Sequence, residues 1–218
     1  MNEETSLKNR RINNFMYVIV FFIVLLGSIY LIGGVFFDNE YSYKNKETGE
    51  KFPFTTREIN DELTMHKLTT YTVFQGIGHI YDTSFRNGPK ELEDLFIEDD
   101  VRKKIISKEK LFITINPELD AKAVLATVEV GRVVGNAEWG IFKIPTEVAT
   151  TVETGTSRPV KTCKSTSSRI GVILFRIGET TSVTSEDECI IVEGKDSDEL
   201  IKAADKLAYT LLNVLPSN

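Results

Sequence analysis

Between Phe15 and Phe37 the chain runs for 23 residues without a charge. As an α-helix this run reaches about 34 Å, slightly more than a hydrocarbon core of about 30 Å. A helix packed in a soluble core would show a polar stripe, and none is present here. The run therefore predicts a transmembrane helix over 15–37, preceded by a short tail over 1–14 and followed by one domain. Its apolar part is longer than that of a cleaved signal, and no A-x-A-like site follows it, so it reads as a retained anchor. Gly27 and Gly33 have Leu31 and Phe37 four residues on, so no small-xxx-small dimerisation face is written into it.

Lys8, Arg10 and Arg11 lie just before the run, and Asp38 and Glu40 just after it. By the positive-inside rule this predicts a cytoplasmic N-terminus and a domain outside. Lys44, Lys46 and Lys51 fall in the same counting window, so the short basic cluster beside the span decides the orientation. Of the 218 residues, about 180 follow the span, enough for one core. Net charge is −6, which repels phosphate backbones and argues against a nucleic-acid partner.

Residues 38–56 are polar with scattered aromatics and read as a stalk, with a short hairpin turn possible at Thr48-Gly49. The domain is then expected over 57–218, as a hairpin-containing part (57–109) and an α/β part (110–218). Thr70–Phe74 and His79–Phe85 are rich in β-branched and aromatic residues, and Gln75-Gly-Ile-Gly78 supplies a turn between them. Lys90–Ile106 carries helical signals in two pieces, the second capped by Asp99 or Asp100.

Leu111–Ile115 reads as a strand buried on both faces. Asn116-Pro117 reads as a helix start that presents Val124, Leu125 and Val128 inward and Lys122, Glu129 and Arg132 outward, ending at Gly135-Asn136. Strands are expected at Trp139–Ile144, Ile170–Ile177, Thr181–Thr184 and Cys189–Val192. Asp196-Ser-Asp-Glu199 then opens a helix whose Leu200, Ala204, Leu207, Ala208, Leu211 and Leu215 form one apolar face. The fold class is α+β or α/β: a mixed sheet with two packed helices after the membrane helix.

Two segments carry a resemblance, Phe112-Ile-Thr-Ile-Asn-Pro-Glu-Leu-Asp-Ala-Lys-Ala-Val-Leu-Ala126 and Cys189-Ile-Ile-Val-Glu-Gly-Lys-Asp-Ser-Asp-Glu-Leu-Ile-Lys-Ala-Ala-Asp-Lys-Leu207. Together with the span, they resemble a group of uncharacterised single-span membrane proteins from archaea. That group often has an acidic residue where this chain has Asn116. The resemblance implies an archaeal cell envelope and no particular activity.

Cys163 and Cys189 are the two cysteines, both on the side expected to be outside, where an even pair reads as a disulfide. His66 and His79 are the two histidines, and no GxSxG elbow frames a serine to pair with either. Glu186-Asp187-Glu188 with Asp196, Asp198 and Glu199 lacks EF-hand spacing. Asp196, Asp198 and Glu199 complement the dipole of their own helix. No catalytic, cofactor-binding or metal-binding set emerges. The expected function is thus a membrane-anchored extracytoplasmic module that binds a protein or envelope component, held by the lipid bilayer through 15–37. A motif-free tethered hydrolase is the alternative. A deep polar pocket would favour the hydrolase, and an exposed apolar patch would favour binding.

Overall fold

The computed structural model describes residues 20–25, 27–28, 39–135 and 140–216. The chain divides into two compact units, residues 1–39 and 40–218. In the first, residues 20–25 and 27–28 are helical, and the large side chains from Val20 to Leu25 are exposed. Among the described residues, no helix is long and apolar enough to cross a membrane. The span expected over 15–37 lies mostly outside those residues, as does the tail over 1–14. The described chain is a mixed α+β fold with two sheets.

Strands β1 (Asn39–Lys44), β2 (Lys51–Asn60), β3 (Leu63–Phe74) and β4 (Ile77–Phe85) form a sheet in that order. Residues 39–56, expected to be a stalk, are instead β1 and the first half of β2. Their aromatics alternate with polar residues at the period of a strand, so Tyr43, Phe52 and Phe54 all reach the core. The Thr48-Gly49 region does turn, and the structure fixes that turn: buried Asn45 donates from Nδ2 to the carbonyls of Asn213 (2.9 Å) and Val214 (3.3 Å). Between β3 and β4, Gln75 and Gly76 both take positive φ, the two-residue turn that suits a tight hairpin.

A 3-10 turn (Pro89–Leu92) and helix α1 (Val101–Ile106) lead to the second sheet. It comprises β5 (Lys110–Ile115), β6 (Thr146–Thr150), β7 (Ile170–Ile177), β8 (Ser182–Glu186) and β9 (Cys189–Gly194), ordered β6-β5-β7-β9-β8. All its pairings are parallel except β8 with β9. The strand expected at Trp139–Ile144 is absent from its described part. There the N–H groups of Ile141 and Phe142 donate to the Val133 carbonyl, and that of Ile144 to the Val134 carbonyl. These bonds finish the preceding helix, and the strand starts only at Thr146.

That helix, α2 (Ala121–Val134), begins later than expected. Asp120 caps it, accepting from the Ala123 N–H, whereas Asn116 closes a turn onto the Glu118 N–H. Lys122 and Arg132 face outward as expected, but the apolar face differs. Ala123, Ala126, Val130 and Val133 are buried, while Val124, Leu125 and Val128 are 43%, 37% and 42% exposed. Glu129, expected to face outward, is buried. The difference follows from packing: α2 lies along helix α3 (Ser197–Leu211), and its small side chains allow the close approach.

Helix α3 starts where expected, with Asp196 accepting from the Glu199 N–H at 2.9 Å. All six apolar positions expected from Leu200 to Leu215 are buried. So are Asp205, Lys206 and Tyr209, because α3 is covered on both sides. It packs on β7, β8 and β9, while Tyr209 meets Phe54 and Phe85 of the first sheet at 5.9 and 4.3 Å between ring centroids. One core cluster therefore runs from the first sheet through the helices to the second.

Cys163 and Cys189 form a disulfide with Cα atoms 5.1 Å apart. It ties the turn at 163–165 to the start of β9, over a small apolar cluster of Phe112, Ala149, Val172 and Ile191. Closing 26 residues contributes about 3.5 kcal/mol on the chain-entropy account. Reduction is expected to lower the thermal midpoint by about 7–14 °C, read by calorimetry with and without reductant. Equal midpoints would show that the bond constrains nothing.

Candidate functional site

The most unusual chemistry among the described residues is a buried acid pair. Asp205 projects from the middle of α3 and Glu129 from the last turns of α2, next to Arg86 and Asn87 at the end of β4. Asn87 donates to Asp205 Oδ2 from its backbone N–H (2.9 Å) and from Nδ2 (2.8 Å). The Tyr209 hydroxyl donates to the Asn87 carbonyl at 2.9 Å. Arg86 Nε stands 3.6 Å from Glu129 Oε1. The set ties both helices to the end of the first sheet.

Burial and then the neighbouring Asp205 charge push the Glu129 carboxyl far above its usual range, against the opposing pull of Arg86 and Arg132. Burial raises Asp205 as well, while hydrogen bonds from Glu129 and Asn87 moderate it. Asp205 Oδ1 and Glu129 Oε2 have no other hydrogen-bond partner. One proton held between the carboxyls removes the like-charge repulsion, with the Glu129 carboxyl donating and Asp205 accepting. Asp205 is fully buried and Glu129 nearly so, so the pair fastens layers and does not meet solute.

The sign of its pH dependence follows. The folded state keeps a proton that the unfolded chain releases above about pH 4. Stability therefore falls as pH rises from the ordinary carboxyl range through neutrality. Glu129→Gln mimics the protonated acid. It is expected to match the wild type near pH 4 and to exceed it by about 1 kcal/mol or more at pH 8. Thermal midpoints of both proteins across that range check this, and parallel curves would show that no proton is retained.

The histidines are not brought together. His66 pairs in register with Phe85 and His79 with Thr72, which sets them six β3 positions, or about 20 Å, apart. His66 takes a hydrogen bond with the Tyr41 hydroxyl at 3.0 Å, lies 3.8 Å from Glu91, and is held below its usual pKa by burial. His79 stacks on Tyr81. Four of the six acidic residues singled out in the sequence are engaged by neighbours in the fold. Glu188 pairs with Lys108, Asp198 with Lys122 and Glu199 with Lys202, while Asp196 caps α3. No described group of three or more such side chains is placed to hold a metal.

The surface is more informative. The hairpin of β3 and β4 outruns β2, and its far end exposes Tyr71, Val73, Phe74, Ile77 and Ile80, between 43% and 73% each. Tyr71 lies over Gly78, where a Cβ would come within 2.9 Å of its ring, so the glycine leaves room for the ring to lie flat. Beside the hairpin, β4 and α2 frame an open groove of about 450 Å³ lined by Asp82, Thr83, Val128 and Arg132. Sequence reading named the hairpin but not its exposure, and it missed the acid pair because Glu129 was assigned to the wrong face. No protein-family model, curated protein or solved structure matches this chain.

Proposed function

We propose that this chain is a membrane-anchored extracytoplasmic binding module, related to the archaeal single-span group that its sequence resembles. The observation that carries the binding reading is the exposed apolar end of the β3–β4 hairpin, with Tyr71, Val73 and Ile80 on one face and Phe74 and Ile77 on the other, in a domain whose described grooves are open. An apolar projection of this kind suits contact with a protein of the envelope. The Cys163–Cys189 bond supports an oxidising compartment, hence a domain outside. The helical, exposed apolar side chains from Val20 to Leu25 support the anchor. The hydrolase reading has less support, since the strongly perturbed carboxyls are buried.

Carbonate extraction of membranes tests the anchor: the chain is expected in the pellet, and release into the supernatant would overturn it. A photo-crosslinking residue at Phe74 in the intact cell tests the contact. A discrete adduct is expected there and none at Thr55, among the polar Glu40, Ser42, Lys67 and Thr69 of the same sheet. Equal labelling at both positions would exclude the hairpin as the contact.

A further inference from the structure

The two sheets have four edge strands, and three of them are guarded. Strand β8 is bridged by residues 96–98, whose Phe96 carbonyl and Glu98 N–H both bond Val183. Strand β6 is covered at Thr150, which bonds Pro159 and Lys161. Strand β1 is short and carries Glu40 and Lys44. Strand β4 has no bridging segment of this kind among the described residues, although Lys143 Nζ lies 5.2 Å from the ring centroid of its Tyr81. It is nine residues long, has no proline or lysine and one charge, Asp82. Among the described residues, none makes a backbone hydrogen bond to it other than those of β3. Natural sheets blunt an edge of this kind unless it is used. Alongside it lie the exposed Val128 and Arg132 of α2.

We infer that the occupant of this edge is β4 of a second copy of the chain, paired antiparallel across a two-fold axis. The inference goes beyond the anchored-module reading and uses it only in that an anchor concentrates copies on one surface. A two-fold contact must complement itself, and β4 does so when centred on Ile80. Ile80 then faces Ile80, His79 faces Tyr81, and Asp82 faces Gly78, so no like charges oppose. Centring on Asp82 would set two carboxylates against each other. With Ile80 at the axis, the existing Tyr71–Ile80 cross-strand pair extends into one apolar row over four strands. The buried side of β4, bearing Tyr81, Thr83 and Phe85, faces the helix layer. A two-fold normal to the joined sheet therefore sets both helix layers on one side, and Val128 of α2, which lines the groove beside Asp82 and Thr83, borders the contact.

Cysteine crosslinking of the full chain in its membranes tests this, because both native cysteines are already paired. Ile80→Cys is expected to give a covalent dimer under mild oxidation. Val73→Cys, comparably exposed on β3 but separated from the edge by β4, is not. In detergent, the chain carrying Ile80→Lys and Val128→Lys is expected to associate at least about tenfold more weakly than the wild type by sedimentation. Its thermal midpoint below the association range is expected to be unchanged, since both sites are exposed. A wild type that stays monomeric in both assays, equal crosslinking at positions 80 and 73, or a dimer that survives the double lysine variant would each overturn the inference. Membrane extraction reads the anchor independently, so the two ideas fail separately.

Discussion

Gly194→Ala is expected to lower the thermal midpoint of the domain by about 10 °C or more, if it folds at all. Gly194 ends β9, and the chain turns at once into α3. A Cβ at this position would run into the backbone N of Leu200 and lie 2.5 Å from its Cα and 2.6 Å from the Glu199 carbonyl carbon. These are main-chain atoms in the first turn of the helix, so no side-chain rotation relieves the clash. Either β9 leaves the sheet or α3 shifts, and α3 is the element on which both sheets pack. A cost of about 4 kcal/mol or more is appropriate to a contact of that kind. It would consume much of the stability of about 5–15 kcal/mol usual for a domain. Circular dichroism of the purified chain on heating measures it. A midpoint within about 2 °C of the wild type would mean that the strand and helix do not approach so closely.

Leu207→Ala is expected to cost about 4 kcal/mol, because the side chain is fully buried in the middle of α3 and a cavity there is closed in by packed elements. Val128→Ala is the contrasting case. The sequence pattern assigns it to the core, yet it is 42% exposed on α2, so the monomer should change by no more than about 0.5 kcal/mol. Denaturant titration of the two variants side by side separates buried from exposed helix faces. A large loss in Val128→Ala with a small one in Leu207→Ala would mean that the helices pack through the opposite faces.

What the sequence made legible was set by local chemistry. Strand β7 begins and ends where its apolar run does, at Ile170 and Ile177, and the Asp196 cap with the spacing from Leu200 to Leu215 locates α3. The even cysteine pair anticipates the bond that forms. What stayed hidden was decided between elements. On α2, Val124, Leu125 and Val128 are as apolar as anything in the helix, yet close approach to α3 buries the face of Ala123, Ala126, Val130 and Val133. Residues 39–56 look polar on average, and only the alternation of Tyr43, Phe52 and Phe54 with their neighbours marks strands. Glu129 and Asp205 are 76 positions apart, and nothing local to either announces a shared proton. The β4 edge was equally silent, because an edge is defined by which strand fails to pair beyond it.

The proposed topology, a domain held outside the cell by a span over 15–37, can be read by amine labelling of intact cells with a membrane-impermeant reagent, followed by peptide mass spectrometry. Lys67 is partly exposed beside the solvent-open groove on the outer side of the first sheet, and Lys46 is exposed at the β1–β2 turn. Both are expected to label without permeabilisation, whereas Lys8 should label only after it. Labelling of Lys8 in intact cells with Lys46 and Lys67 protected would place the domain inside and contradict the proposal.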